Sequence, residues 1–261
     1  MIIDFHTHGK LAKTLTFKKE YTKWLFDTAI ESGLEALCLT EHFNTTQFED
    51  LYEFVATELT PHGDCFIYKN QLKVFPGIEI DINEGGHNLV IGQLKDILAI
   101  HNDLKPFMKK GHFIPLEGLG QLVKQHPVIF GAAHSYREGG NIPSLAPELL
   151  ANYDFIDLNG KDFAAKGELC EFEVNSFAKS LEKPVVAGSD THQGYQYMTV
   201  YNNFRYDVDT VEDLKKAVLS ENYTVHTASD AVFRVETAST LKKAMKQIDA
   251  LGGNYVSILP H

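Results

Sequence analysis

The sequence predicts an α/β fold: one domain on a mostly parallel sheet that closes, or nearly closes, into a barrel. Three observations carry this. Short apolar runs alternate with helix-patterned segments six times or more. No repeat, low-complexity tract or long linker interrupts the alternation. The length, 261 residues, suits a large α/β barrel, and 44% hydrophobic with 23% charged residues is an ordinary globular balance.

The elements follow in chain order. Ile2 to His8 is strand-like. Lys19 to Ser32 places Tyr21, Trp24, Leu25, Thr28 and Ala29 near one helical face, with Gly33 as the C-cap. Leu34 to Thr40 is again a strand, and Gln47 to Leu59 a helix ended by Pro61. Leu72 to Ile80 and His87 to Ile91 are strands around the turn Asn83-Glu84-Gly85-Gly86. A helix around Leu116 to Gln125 precedes the strand Val128 to Ala133, and Pro147 to Asn152 reads as a short helix. Strand Phe155 to Leu158, helix Glu168 to Leu181 and strand Pro184 to Ala187 repeat the alternation. Strand Thr199 to Phe204, helix Val211 to Ser220 and strand Tyr223 to Thr227 complete a barrel over residues 1–230. Residues 231–261 form a C-terminal extension on that barrel, with one helical pattern from Thr240 to Leu251 and no motif. It caps the barrel, shapes the substrate pocket or makes a subunit interface, so a homo-oligomer is an open expectation.

Thirty-five acidic against 24 basic residues leave a net charge of −11, and basic residues cluster only as short runs such as Lys18-Lys19, Lys109-Lys110 and Lys215-Lys216. A long nucleic acid is therefore not an expected partner, and an anionic ligand has to be met by local positive charge. Cys38, Cys65 and Cys170 form no CxxC pair, which suits a reducing, cytoplasmic setting. Met1 to His6 lacks the basic start and apolar run of a signal peptide. No apolar run of ~18 residues offers a membrane span.

In parallel α/β barrels, chemistry sits at the C-terminal ends of the strands. Metal-binding residue types recur there: His6 and His8, His42, Glu79, His87, His134, Asp157 with Asn159, and Asp190 with His192. Strand residues i and i+2 face the same way, ~6.6 Å apart, so His6 and His8 can hold one ion from one side. Mixed imidazole and carboxylate donors suit Zn, Mn or Fe without choosing among them. Glu41 falls behind or outside the site, since it faces away from His42. His87 reads equally as a turn histidine, and Glu79 as a surface acid on an edge strand. His62, His101, His112, His126, His226 and His261 lie in loops, helices or the tail and read as solvated or structural.

Taken in order, the motifs resemble those of the polymerase and histidinol phosphatase (PHP) family of metal-dependent phosphoesterases. The pieces are Asp4-Phe5-His6-Thr7-His8, Leu39-Thr40-Glu41-His42, Pro76-Gly77-Ile78-Glu79-Ile80, His87-Asn88-Leu89, Ala133-His134-Ser135-Tyr136-Arg137, Ile156-Asp157-Leu158-Asn159 and Gly188-Ser189-Asp190-Thr191-His192. The resemblance implies a distorted (β/α)7 barrel of TIM type with two or three divalent ions. It places His6, His8, Glu79 and Asp190 around one ion and His42 with His192 at a second. Glu79, His87 and His134 surround a third, with Glu79 bridging. Many members carry one more histidine after the HxH motif; here Gly9 to Glu20 has none, and Lys10 or Lys13 stands in that stretch. Members also commonly have Asp where Glu41 stands and Glu where Asp157 stands, so both changes keep the charge.

The expected activity is hydrolysis of a small phosphate monoester, histidinol phosphate-like or a nucleotide, by attack of a metal-bound hydroxide whose pKa is lowered toward ~7. Glu79, Asp190 and Arg137 are the expected catalytic residues. Arg137 lies three residues after His134 and reads as a bidentate phosphate fork or as a surface salt bridge; the resemblance favours phosphate. Asn159 and Lys161 are further candidate substrate contacts. The alternatives are a phosphodiesterase or nuclease on short nucleotides, an amidohydrolase-type C–N hydrolase, and a non-catalytic metal-binding protein. The second wants a lysine in mid-strand, whereas Lys73 opens its strand and Lys161 follows its own.

Overall fold

The computed structural model describes residues 1–259; His261 lies outside them. The chain runs β1 (Ile2–Thr7), α1 (Lys19–Glu31), β2 (Ala36–Leu39), α2 (Phe48–Glu58), β3 (Thr60–His62), β4 (Cys65–Tyr68), β5 (Leu72–Asp81), β6 (His87–Ile91), α3 (Leu94–Asp103), α4 (Leu116–Val123), β7 (Ile129–Ala133) and α5 (Pro147–Leu150). It continues through β8 (Phe155–Asn159), α6 (Gly160–Lys166), α7 (Glu168–Ser180), β9 (Val185–Gly188), β10 (Val200–Phe204), α8 (Val211–Leu219), β11 (Tyr223–Thr227) and α9 (Ala231–Ala250).

The strands form one mixed sheet in the order β11-β10-β1-β2-β5-β6-β7-β8-β9. The sheet is less parallel than the alternation suggested. β1, β2 and β5 run parallel, as do β7, β8 and β9. β6 is antiparallel to both neighbours, and β10 is antiparallel to β1 and β11. The short turn between β5 and β6 explains part of this, because a few residues cannot return a chain to a parallel neighbour.

The barrel nearly closes where β1 meets the segment just beyond β9. The Asp190 N–H donates to the His6 carbonyl at 2.7 Å and the His8 N–H to the Thr191 carbonyl at 2.9 Å. Below this, side chains stitch the seam. The Asn202 amide accepts from Ala187 N and donates to the carbonyls of Ala187 and Ile3, at 2.8, 2.9 and 3.1 Å. Asp4 Oδ1 accepts from the Ser189 N–H at 2.9 Å.

Alternation sorts the strand residues into two apolar layers. Phe5, Cys38, Phe75, Leu89, Ile129, Phe155 and Val186 fill the interior, and α8 joins them through Val211, Leu214 and Val218. Lys73 and Lys215 bond to the Val208 and Val128 carbonyls, so α8 lies at the N-terminal ends of β5 and β7. Leu37, Leu39, Val74, Ile78 and Phe130 face outward beneath the helices.

On β1, Phe5 is an interior residue and His6 a site residue, which strict two-residue alternation forbids. The register against β2 shifts between Asp4 and Thr7, and that irregularity supplies the missing step.

Three elements have no counterpart in the sequence reading: the β3–β4 hairpin, α6, and α3, although Ile97 and Ile100 of the last, with Leu104 at its C-cap, recur at helical spacing and are buried. α9 begins at Ala231, nine residues before the periodic stretch from Thr240. Its first turns expose Val232 and Phe233, so tertiary packing rather than an apolar stripe sustains them. α9 lies against α6 and the 3-10 turn Gly194–Gln196. Among the described residues no helix is long and apolar enough to cross a membrane.

Candidate metal centre

Glu79 stands at the centre of the strand-end residues. Its Oε1 lies 3.5 Å from His6 Nε2, 2.6 Å from His87 Nδ1 and 3.0 Å from His134 Nε2. Its Oε2 lies 3.4 Å from His8 Nε2 and 2.9 Å from His42 Nδ1. One buried carboxylate thus meets five imidazoles, divided between its two oxygens. β5 supplies it inward, two residues beyond Gly77, and an isolated parallel bridge joins it to His42, three residues past the end of β2.

Asp190 is the second node. Its Oδ1 lies 3.2 Å from His8 Nε2, 3.4 Å from His192 Nδ1 and 3.9 Å from His6 Nε2. Its Oδ2 faces the rim, 2.9 Å from both Arg137 Nη1 and Lys161 Nζ. Asp190 and His134 both hold left-handed backbone conformations, φ 58° and 31°. Such strain in non-glycine residues concentrates at functional sites.

A further layer of acids holds the imidazoles. Asp157 Oδ2 lies 3.3 Å from His6 Nδ1 and accepts from the His134 N–H. Glu41 is buried, 3.6 Å from His8 Nδ1, and accepts from the Gly9 and His42 N–H groups. Asp81 Oδ1 stands 2.9 Å from His87 Nε2. Arg137 Nε donates to Asp162 and its Nη2 to Asn159 Oδ1, so Asp162, Asp190 and Asn159 engage the guanidinium together.

All eight sequence-derived ligand candidates (His6, His8, His42, Glu79, His87, His134, Asp190 and His192) gather in this one cluster, with Arg137, Asn159 and Lys161 at its rim. His8 stands with His42 and His192, so three imidazoles surround the place where two were expected. Lys10 turns away to Thr45 and Thr46, and Lys13 approaches Asp81 at 3.8 Å. Outside the centre, His101 stacks on Phe48, His126 pairs with Asp96 and His62 with Asp209. Sequence reasoning missed Asp81 and Lys242. The two-residue spacing from Glu79 pointed to Asp81; nothing local pointed to Lys242, which arrives on α9.

Burial opposes ionisation of Glu79, yet the imidazoles of His42, His87 and His6 hold its carboxyl well below the usual range. Burial likewise opposes charge on His87, but Glu79 and Asp81 raise it to about 10. His6 and His8 are also raised, against their burial, by neighbouring acids. Burial pushes His42, His134 and His192 down, His134 to about 3 with help from Arg137. The cluster therefore mixes neutral imidazoles, the form that ligates metals, with imidazoliums drawn in by acids.

The donors fit divalent ions. His42 Nδ1 and Glu79 Oε2 are 2.9 Å apart, yet neither makes a hydrogen bond, and the same is true of His6 Nε2 and both His8 nitrogens. Buried polar atoms that converge without bonding one another call for a shared partner. Four groups of three donors, His8-His42-His192, His6-His134-Asp190, His6-His8-Glu79 and His42-Glu79-His87, each lie within 4.8 Å of one another. Ligands at ~2.0–2.2 Å from one tetrahedral ion are about 3.3–3.6 Å apart, close to the separations seen.

No protein-family model matches the sequence, and no curated protein matches it. Solved structures share the fold. PsfC from Pseudomonas syringae superposes with a TM-score of 0.77 at 20% identity, over 94% of this chain and 98% of that one. Endonuclease Q, solved with a 27-mer duplex substrate carrying an abasic lesion at the active site, gives 0.67 at 16% identity over 84% of this chain. The match spans 57% of Endonuclease Q, a little over half its length. A candidate metal-dependent phosphoesterase from Bifidobacterium adolescentis gives 0.50 at 13%, over 84% of this chain and 96% of that one. At these identities the likeness establishes the fold, a mixed α/β barrel. The expectation from net charge that no long nucleic acid is involved does not fit Endonuclease Q: a chain of this fold takes duplex DNA, so acidity alone does not set such a partner aside.

Proposed function

We propose that this chain is a metal-dependent phosphoesterase of the polymerase and histidinol phosphatase class, on a distorted (β/α)7 barrel, and that it hydrolyses a small phosphate monoester. The observation that carries the reading is Glu79, whose two oxygens face separate sets of imidazoles as a bridging carboxylate would. His6, His8, His42, Glu79, His87, His134, Asp190 and His192 would hold two or three divalent ions, Zn, Mn or Fe. Such ions, when bound, acidify water and neutralise charge on phosphoryl oxygens.

The chain's own residues do the rest. Asp190 links the ion-binding donors to the cationic rim through its two oxygens. Arg137 and Lys161 place positive charge where phosphoryl oxygens would rest, and Asn159 braces Arg137. Asp157 fixes the ring of His6, and Glu41 backs His8. Residues 1–230 are read as the barrel and 231–261 as an extension upon it. Three free, buried cysteines suit the reducing cytoplasm.

A C–N hydrolase of amidohydrolase type is less well supported, because Lys73 turns to Asp207 and Asp209, away from the centre. A nuclease reading draws on the shared fold of Endonuclease Q. Metal analysis of chelator-free protein, followed by Mn- or Zn-supported assays on phosphate monoesters, diesters and matched amides, tests the proposal. Bound divalent metal with preferred monoester hydrolysis is expected. Absence of bound metal, or faster cleavage of amides, would overturn it.

A further inference from the structure

We propose that α9 completes the site with a substrate-selecting cation, Lys242, which acts with Lys161 on the outer oxygens of a phosphate monoester. This rests on the phosphoesterase reading and adds what the substrate must present.

The buried residues of α9 are Ala231, Ala238 and Met245, seven apart. Lys242 lies four residues after Ala238 and three before Met245, on the same inward stripe. Two neighbours fix where that stripe points. One is α6, whose second residue, Lys161, lies 2.9 Å from Asp190 Oδ2. The other is the turn Gly194–Gln196, two residues beyond His192. Arg234 tethers the helix by donating to the Tyr197 carbonyl at 3.3 Å.

Among the described residues no carboxylate oxygen comes within 4.0 Å of the Lys242 ammonium. The charged groups that act on it through space are Lys161, Asp190, Glu41 and Lys246, and it acts in turn on His192. Burial, then the Lys161 cation, pushes Lys242 down to about 7. A lysine held inward beside another lysine, without an acid of its own, is unfavourable until an anion joins it.

Charge at the rim points to the class of anion. Arg137, Lys161 and Lys242 bring three cations; the acids in contact with Arg137 and Lys161 are Asp162 and Asp190. Among the described residues Lys242 has no such acid in contact, and an anion bound beside it favours its charged form. A phosphate monoester carries between −1.5 and −2 at neutral pH and three terminal oxygens, by analogy with phosphoserine. A diester carries one charge and two such oxygens. The extra cation therefore rewards the monoester.

The test uses the full-length Mn(II)-loaded chain with Lys242→Met and Lys242→Arg. Methionine keeps the side-chain length and helix propensity. Lys242→Met is expected to weaken inorganic phosphate binding, measured by calorimetry, about tenfold, the value of one charge-assisted hydrogen bond. The ratio of kcat/KM for p-nitrophenyl phosphate over bis(p-nitrophenyl) phosphate is expected to fall by about the same factor, with bound manganese unchanged. Lys242→Arg restores phosphate binding. Unchanged phosphate affinity in Lys242→Met, or equal losses for both esters, would overturn the assignment. If the wild type cleaves neither ester, the phosphoesterase reading fails while calorimetry still decides Lys242. Weaker phosphate binding by the variant then supports the anion site, and a wild type that binds no phosphate refutes it.

Discussion

Gly188 and His6 approach so closely across the β1–β9 seam that a Cβ on Gly188 would stand 2.3 Å from His6 Cβ, and 2.6 Å from Asp157 Oδ1. Neither neighbour can yield, since His6 is held by Asp157 and belongs to the closing strand pair. Gly188→Ala is therefore expected to cost more than ~3 kcal/mol of stability or to displace His6, well above the cost of ordinary overpacking. Thermal unfolding and metal analysis check this; a variant with wild-type melting temperature and metal content would contradict the close approach.

The central position of Glu79 sets a second expectation. Glu79→Gln removes the charge that five imidazoles face while keeping the shape. Bound metal is expected to fall by at least one ion per chain, because a neutral amide is a poor bridging ligand. Elemental analysis of protein prepared without chelator reads this directly, and an unaltered stoichiometry would show that Glu79 bridges nothing.

Asp81 offers a separate handle, since it touches His87 from the side away from Glu79. Asp81→Asn is expected to weaken metal binding by roughly tenfold to a hundredfold, the usual effect of removing an acid that orients a ligating histidine. Competition with a chromogenic chelator measures the affinity. No change would place His87 outside the metal set.

Proton release follows from the imidazolium–carboxylate pairs. Without metal, His87 keeps its proton until the pH rises through about 10, against an ordinary value of 6.5. Metal uptake at pH 7 is expected to expel protons, and apparent affinity to fall as the pH is lowered. The pair's contribution to the stability of the metal-free chain is complete below about pH 6.5 and is lost as the pH rises through about 10. Calorimetry in buffers of differing ionisation enthalpy counts the protons; a count of zero at pH 7 would refute the pairing.

Much of the site was visible before folding because its spacing is local. His6 with His8, and Asp190 with His192, announce themselves as i, i+2 pairs, and apolar alternation marks the strands that carry them. The α6 segment was not visible: seven residues beginning with glycine show no helical stripe. Nor was the direction of β6, which depends on how the chain returns and not on which residues it contains.

The sequence alone determined the kinds of donor, their order and the barrel-like alternation, all properties of neighbours along the chain. Tertiary structure decided that Glu79 is the acid others surround, that β1 shifts register so that Phe5 and His6 both serve the interior, and that α9, which carries Lys242, docks against α6. These outcomes depend on sheet curvature, accumulated register and helix docking. Each sums small angles and contacts over many residues, so no short segment contains them.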